Sequence, residues 1–243
     1  MNGHHLQGKN EMSGISAIVP VENETLGVRV YLQLREMLMA GQFAPGEKLT
    51  LRTLAAAIGT SPMPVRDALR QLMVDQAIEL LPNRVFRVPL MSRARFVELR
   101  EIRIRLEGMA VEYAAERISH AELQEAKSYS SSFNAECDLA GSDPAKLIVL
   151  NKNLHFTIYK ASRLPALLQM IEGLWTQIGP VLNLDVRSGS ERITNKTPTE
   201  HHEALLAALK ARDPDAAKEA LASDLRSASD YILKQNRLTL EGQ

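Results

Sequence analysis

Four polar side chains in the second half of the chain have the types and spacing of a metal site. Asn151 and His155 are four residues apart on one predicted helix, so both point to the same side of it. His202 lies near the start of a later predicted helix, and Asp224 lies on the next one. Two imidazoles, a carboxylate and an amide oxygen can together ligate a divalent metal ion.

Spacing alone leaves more than one use for this set. A single polar pair at i and i+4 is a weak signal, and a satisfied polar pair in a helical core is the more common arrangement. With a metal bound and a coordination position open, the same four side chains could instead form a metal-dependent hydrolase. Such an enzyme needs a general base near the bound water, and Glu203 is the one residue to try in that role.

A second set of side chains has the character of a DNA-contacting surface. A predicted helix over 61–74 begins with Ser61 and has Met63, Arg66 and Arg70 at exposed positions, with both arginines on one face. The major groove of B-DNA admits one α-helix, whose N-terminal residues reach base edges and phosphates. An arginine face is equally a solvated surface when charge is the only criterion.

The elements that position these residues predict a mainly α fold. Apolar periodicity predicts short helices over 26–41, 51–58 and 61–74, followed by a hairpin over 78–88. This order is typical of a winged helix-turn-helix. Arg84 and Arg87 then lie in or beside the wing, and Arg52 lies on the preceding short helix, so all three are candidate DNA contacts.

After Pro89 the pattern is helical to the end of the chain, which predicts an all-α bundle of about six helices. Their predicted ranges are 93–118, 121–140, 144–161, 165–185, 198–212 and 214–238. The sequence therefore predicts a flexible tail over 1–25, a winged helix-turn-helix over 26–90 and a helical domain over 91–243.

Composition excludes several classes of protein. The 29 basic and 29 acidic residues give a net charge of zero, which excludes a disordered polyelectrolyte and a histone-like protein. The charge is not evenly distributed along the chain, because residues 26–90 contain eight basic and five acidic residues and form a basic module. The single cysteine, Cys137, excludes a disulfide framework and a Cys-rich zinc site. The polar first ten residues are unlike a signal peptide, and no apolar run is long enough for a membrane span, so we expect a cytoplasmic protein.

Two motifs in the N-terminal module resemble those of the GntR family of bacterial regulators. They are Pro-Gly-Glu-Lys-Leu at 45–49 and Pro-Val-Arg-Asp-Ala-Leu at 64–69, within a match that covers 26–90. The resemblance implies a DNA-binding transcription regulator in which Arg66 is the DNA-contacting arginine and Ser61 contacts a phosphate. Two positions depart from the family. Pro62 stands where an arginine is usual, and Val85 stands where the wing usually has a glycine, so we expect altered base preference and a reshaped wing turn.

The rest of the chain resembles the FCD ligand-binding domain of FadR-type GntR regulators. The similarity lies in segments 98–110, 151–156 and 200–213, within a match that covers 92–238. It implies that Asn151, His155, His202 and Asp224 occupy the metal-ligand positions. Asn151 replaces an aspartate and Asp224 replaces a histidine, so the carboxylate has moved to another helix. We expect a divalent metal, zinc or nickel, with altered affinity, and the alternative is a metal-free polar pocket.

The same resemblance implies a small carboxylic acid as the effector. Arg103 matches the position of the family's carboxylate-binding arginine, and Arg100 lies one turn earlier on the same predicted helix. The alternative for Arg103 is an ion pair with Glu107 within the helix. We therefore expect a homodimeric, metabolite-responsive regulator that binds a pseudo-palindromic operator. A metal-dependent hydrolase and an architectural DNA binder without sequence preference are the alternatives.

Overall fold

The computed structural model describes residues 25–187, 191–235 and 238–239. The mainly α fold, with an N-terminal helix-turn-helix followed by a helical domain, is confirmed. The predicted tail lies outside the described residues except for Thr25, which caps the first helix. In chain order the elements are α1 (Leu26–Met39), β1 (Lys48–Leu49), α2 (Leu51–Ile58), α3 (Pro62–Val74), β2 (Glu79–Leu80), β3 (Phe86–Arg87), α4 (Arg93–Arg117), α5 (His120–Cys137), α6 (Pro144–Ala161), α7 (Pro165–Arg187), α8 (Glu191–Thr194), α9 (Thr197–Ala211) and α10 (Pro214–Lys234).

The turn between α2 and α3 follows from local chemistry. Gly59 ends α2 with a φ of 76°, a left-handed conformation that costs glycine little. Ser61 is the N-cap of α3, and Pro62 is placed in its first turn, where the missing N–H has no intrahelical acceptor in any case. The Ser61 side chain makes no capping hydrogen bond, so its hydroxyl is left exposed at the start of the helix. Apolar residues of all three helices and the sheet form one core, including Leu34, Leu69 and Phe86.

The wing has one strand more than predicted. The sheet is antiparallel in the order β1-β3-β2, and β1, which the sequence analysis missed, pairs with β3 through Lys48 opposite Arg87. A strand of two residues shows no alternation that a sequence pattern could reveal. The expected reshaping of the wing turn has a definite form: Arg84, not Val85, has the positive φ, at 61°. The β-branched Val85 thus avoids the left-handed region.

The helical domain is built from seven helices among the described residues. The most extensive helix–helix packing is between α4 and α10 and between α5 and α6. Side-chain caps fix where several helices begin: Ser92 caps α4, Asp143 caps α6, Asp213 caps α10, and Ser119 forms a capping box with Glu122 at α5. The fully buried Trp175 is at the centre of the core.

The predicted helix ends were wrong by a few residues, and one helix was missed. The predicted helix over 121–140 ends at Cys137, and the one over 214–238 ends at Lys234. The missed element is α8, a single turn from Glu191 to Thr194 that is too short to show helical periodicity. No helix within the described ranges has the length and hydropathy to cross a membrane.

The winged helix-turn-helix module is packed against the helical domain of its own chain. Met39 at the end of α1 is buried in the core of the helical domain. A β-carbon at Gly179 of α7 would lie 2.2 Å from the Leu38 carbonyl oxygen, so the two backbones approach as closely as glycine allows. Arg35 of α1 pairs with Glu172 of α7 at 3.1 Å. The close approach and the ion pair lie on the same two helices.

The replacement Gly179→Ala is expected to separate α1 from α7, because the added methyl would overlap backbone atoms that no side-chain rotation can clear. We expect a loss of about 1–3 kcal/mol in the free energy of unfolding and faster proteolysis of the segment 89–92. The matched control is Gly173→Ala on the same helix, where nothing lies within 4 Å of the added carbon. Urea denaturation of both variants should give opposite signs, since alanine in an open helix position adds about 0.5–1 kcal/mol. Equal effects would contradict the close packing.

Candidate metal and nucleic-acid sites

A cavity of about 70 Å³ lies inside the helical domain. For comparison, an engineered cavity that binds benzene has about 150 Å³, so only a compact ligand fits here without rearrangement. Most of the wall is apolar, and Trp175 and Phe133 are its largest side chains. The polar side chains that line it are Arg103, Asn151, His155, Arg192 and Asp224.

Three helices bring the predicted metal ligands together at this cavity. His155 of α6, His202 of α9 and Asp224 of α10 each present one ligand atom, and these atoms lie within 4.8 Å of one another. His155 Nε2 lies 3.4 Å from Asp224 Oδ2. His202 Nε2 lies 3.0 Å from the side-chain oxygen of Asn151, the fourth predicted ligand.

These distances and donor types fit a divalent metal ion. Two donor atoms that are each about 2.1 Å from one ion, at angles between octahedral and tetrahedral values, are separated by about 3.0–3.4 Å. The His155–Asp224 pair and the His202–Asn151 pair have separations in this range. Two imidazole nitrogens, a carboxylate and an amide oxygen suit zinc or nickel better than magnesium or calcium, which prefer sites made only of oxygen.

The protonation of the cluster also suits a metal. Burial lowers the pKa of His202 to about 4, so the ring is neutral at pH 7 and keeps a lone pair. Burial raises the pKa of the Asp224 carboxyl, but the hydrogen bond from His155 and the charges nearby lower it by more. The net pKa of Asp224 is well below its usual range, and the side chain is an anion.

Arg192 is a cavity residue that the sequence analysis missed. It lies on α8, with Nη2 3.6 Å from Asp224 Oδ1 and Nε 3.4 Å from Ser227 Oγ. The surrounding segment showed only a break between predicted helices, and no pattern in it indicates that a single turn places an arginine beside Asp224. The position of Arg192 at the cavity is determined by tertiary structure alone.

Arg103 lines the cavity and also forms the ion pair with Glu107 that was the alternative interpretation of this residue. Its Nε lies 2.6 Å from Glu107 Oε1, and its Nη2 lies 3.3 Å from Glu107 Oε2. The guanidinium carbon is 4.9 Å from the centre of the Trp175 ring. Arg100 is placed elsewhere: it pairs with Glu101 and Asp230 near the surface and does not line the cavity.

A chain of buried hydrogen bonds leads from Glu107 to the cluster of His155, His202 and Asp224. The Tyr159 hydroxyl lies 2.5 Å from Glu107 Oε2 and 3.1 Å from His155 Nδ1. Burial and the Glu107 charge raise the pKa of Tyr159 well above its usual value, so the phenol is protonated. Asn151, His155 and Tyr159 recur every four residues along α6, a spacing from which the sequence could have indicated this tyrosine.

On the other module, the predicted DNA contacts form an exposed surface. Met63 has 62% of its surface exposed, and Ser61 and the arginines are also exposed. Within the described part of the chain, the four arginines have no ion pair with an acidic side chain. They are Arg52, Arg66, Arg70 and Arg84. Arg87 differs from them, because Glu79 binds its guanidinium at 2.6 Å across the sheet. Of the two arginines in the wing, Arg84 is therefore the candidate DNA contact, because the guanidinium of Arg87 is bound by Glu79.

Comparison with known proteins assigns both modules. The family described as "Bacterial regulatory proteins, gntR family" matches residues 26–88, and the family described as "FCD domain" matches residues 98–227. The HTH-type transcriptional regulator McbR of Escherichia coli (strain K12) is 30% identical, over 95% of this chain and 99% of its own. The chain belongs to the GntR family of bacterial regulators and has an FCD domain.

Two further comparisons agree with this assignment. The solved structure of E. coli McbR/YncC superposes with a TM-score of 0.80 at 29% identity, covering 88% of this chain and 99% of that chain. A probable D-xylose utilization operon transcriptional repressor from Paenarthrobacter nicotinovorans is 30% identical over 74% of this chain and 77% of its own. The relatives are transcription regulators, and the hydrolase alternative has no support among them.

The buried ion pair of this GntR-family regulator predicts unequal effects for two neighbouring arginines. The replacement Arg103→Ala would leave the Glu107 charge buried and uncompensated, so we expect a loss of about 3–5 kcal/mol in the free energy of unfolding. The matched control Arg100→Ala, three residues earlier on α4, removes only exposed ion pairs and should cost about 0–1 kcal/mol. Urea denaturation measures both, and similar losses would show that Glu107 does not depend on Arg103.

Proposed function

We propose that this regulator is a homodimer whose operator binding is modulated by a small carboxylic acid held at a divalent metal in the helical domain. The observation that carries the proposal is the combination in one chain of an exposed arginine face and a buried His-His-Asp cluster that opens on a cavity. One surface suits DNA and the other suits a small anionic ligand. As a regulator that acts on DNA, the protein belongs in the cytoplasm.

The DNA-reading role rests on the first turns of α3 and on the wing. Arg66 and Arg70 are exposed on the helix that enters the major groove in this module, and Met63 next to them offers apolar contact to a base. The exposed Ser61 hydroxyl and the helix N-terminus suit a phosphate. Arg84 on the wing and Arg52 on α2 complete the proposed contact set.

The modest charge of one module supports the proposed dimerisation. Net +3 over 26–90 provides few phosphate contacts, and such contacts supply most of the affinity for DNA. Two modules on one operator double them, and a two-fold symmetric dimer matches a pseudo-palindromic site.

At the metal, His155, His202 and Asp224 would hold the ion, with Asn151 as a further neutral oxygen ligand. The metal would supply a Lewis-acid site for the effector carboxylate. Arg103 lines the same cavity, and its ion pair uses Nε and Nη2, so Nη1 remains for a carboxylate oxygen. The apolar walls and the small volume favour a short-chain acid.

The proposed coupling runs through α7. Trp175 and Leu182 line the cavity, and Glu172 and Gly179, which lie three or four residues from them and so on a neighbouring stripe of the same helix face, contact α1. A second route is short as well, because Lys152, next to Asn151 on α6, pairs with Glu36 of α1. Since α1 belongs to the DNA-reading core, an effector that shifts α7 or α6 also shifts the module.

The general base that the hydrolase alternative requires is not supplied by Glu203, the one candidate that the sequence offered. Glu203 is exposed on α9 and is not among the residues that line the cavity. A general base must come within hydrogen-bond reach of the bound water, directly or through one further water. We therefore assign the cluster to ligand binding.

Replacement of Arg66 by alanine is expected to abolish sequence-specific DNA binding, because a base contact on α3 is lost. The measurement is a mobility-shift titration against duplexes selected from a random library with the wild-type protein, at a fixed salt concentration. Arg105→Ala removes the same charge from an exposed position of α4 and should leave the affinity within a few fold. Unchanged affinity of Arg66→Ala would overturn the DNA-reading assignment.

The metal assignment distinguishes two adjacent histidines. His202→Ala should lose stoichiometric zinc or nickel after dialysis, as measured by plasma mass spectrometry, whereas His201→Ala should retain it. A thermal-shift screen of short carboxylic acids should then stabilise the wild type and His201→Ala, and not His202→Ala. Metal retained by His202→Ala, or stabilisation by acids that does not depend on metal, would contradict the site.

A further inference from the structure

The end of α3, the proposed DNA-reading helix, faces the helical domain across a gap. The gap has a volume of about 420 Å³, and its walls include Met73 and Gln76 at the end of α3, Leu90 and Met91 in the connecting segment, and Gln177 of α7. By contrast, α1 packs directly on α7. The module is therefore held along one helix, while the end of α3 is separated from the domain by open space.

The side chain of Arg95, in the first turn of α4, bridges this gap. Its Nη2 lies 2.9 Å from the side-chain oxygen of Gln76 and 3.0 Å from that of Gln177. This nitrogen carries two hydrogens, so each glutamine accepts one of them. Its Nη1 donates to Glu98 Oε2 at 2.8 Å, which holds the plane of the guanidinium. Arg95 thus joins the end of α3 to both α4 and α7.

Few polar side-chain contacts join the module to the helical domain. Within the described ranges there are three of them: Arg35 with Glu172, Glu36 with Lys152, and Gln76 with Arg95. The first two hold α1, and only the third reaches the end of α3. Without it, no side-chain hydrogen bond among the described residues opposes a rotation of α3 about the contact between α1 and α7.

Gln76 is a firm attachment point on the module. It has a positive φ of 57°, and its backbone N–H donates to the Met73 carbonyl. The next residue, Ala77, donates to the Leu72 carbonyl. These backbone bonds close the end of α3, so a restraint on the Gln76 side chain acts on the whole helix.

We infer that Arg95 is a positioning residue that fixes the angle at which α3 is presented to DNA. In a two-fold symmetric dimer, this angle determines the separation and relative rotation of the two DNA-reading helices. It therefore determines the spacing between half-sites that the protein accepts. This consequence for spacing rests on the proposed dimer, whereas the role of Arg95 within one chain does not.

The first measurement is the affinity for operators of altered spacing. Duplexes selected from a random library with the wild-type protein are remade with one base pair inserted or removed at the centre of the site. Each change rotates one half-site by about 34–36° relative to the other. In mobility-shift titrations at fixed salt, we expect the wild type to lose about tenfold in affinity at either altered spacing, because DNA or protein must be twisted to restore the contacts. Arg95→Ala should lose at most about threefold, from a lower affinity at the selected spacing.

Two further variants separate positioning from stability. Gln76→Met removes the acceptor on the module and keeps the side-chain length, so it should relax the spacing preference as Arg95→Ala does. Arg93→Ala is the matched control, because this exposed arginine binds the Leu233 carbonyl within the helical domain, and it should keep the wild-type preference. A merely structural role would lower the affinity at all spacings alike. The same spacing preference in all four proteins, or a wild type that accepts every spacing equally, would overturn the inference.

The second measurement needs neither DNA nor a dimer. Spin labels are attached to Ala56→Cys on α2 and Glu203→Cys on α9, both exposed positions, in the Cys137→Ser background. Labelled chains are diluted with unlabelled ones, so that electron paramagnetic resonance reports the distance within one chain. We expect Arg95→Ala to broaden the distance distribution and Arg93→Ala to leave it unchanged. An equally narrow distribution in Arg95→Ala would refute the positioning role. Broadening in a protein that light scattering shows to be a monomer would refute the dimer and leave the inference standing.

Discussion

The helical domain is organised around one buried negative charge. The Glu107 carboxylate has none of its surface exposed, and an isolated carboxylate in such a place would cost several kcal/mol. The charge is tolerated because Arg103 binds both of its oxygens and Tyr159 donates to one of them. The arginine lies over Trp175 and the tyrosine holds His155, so the partners of Glu107 also place two walls of the cavity. The two side chains that compensate the buried charge of Glu107 therefore also position Trp175 and His155 at the cavity.

The cavity and the DNA-reading module share α7. Trp175 and Gly179 are four residues apart on that helix; the tryptophan lines the cavity and the glycine touches the backbone of α1. Packed interfaces are not continuously deformable, so a small displacement of α7 at the cavity must be accommodated where the same helix contacts α1. In chain order, α4 directly follows the wing. α7, in contrast, is distant in sequence from the module and is in direct contact with it.

The sequence was informative where a local rule determines the structure. Gly59, Ser61 and Pro62 predicted the turn before α3, and the i, i+4 spacing of Asn151 and His155 placed both on one side of α6. The sequence was uninformative where contacts between residues that are distant in the chain determine the structure. The two-residue β1 and the single-turn α8 are too short to show a repeating pattern of apolar residues in the sequence. Because α8 was not predicted, Arg192 was missed. The meeting of Glu107 with Tyr159, 52 residues apart, also has no local signal, although the spacing of Tyr159 from His155 was available.

The departures at Asn151 and Asp224 move the carboxylate of the proposed ligand set to another helix and replace one imidazole by an amide, without changing the charge of the set. In the related pattern the carboxylate is on the helix of His155, whereas here a neutral amide stands there and the carboxylate is on α10. Both arrangements contribute one negative ligand, so a divalent ion would keep a net charge of +1 and its attraction for an anion. The partner of the carboxylate does differ, since Asp224 lies beside Arg192 of α8. Because α10 packs along α4, Asp224 lies on the helix next to the one that carries Arg103. The carboxylate of the proposed metal site and the arginine proposed to bind the effector are therefore held by one pair of packed helices.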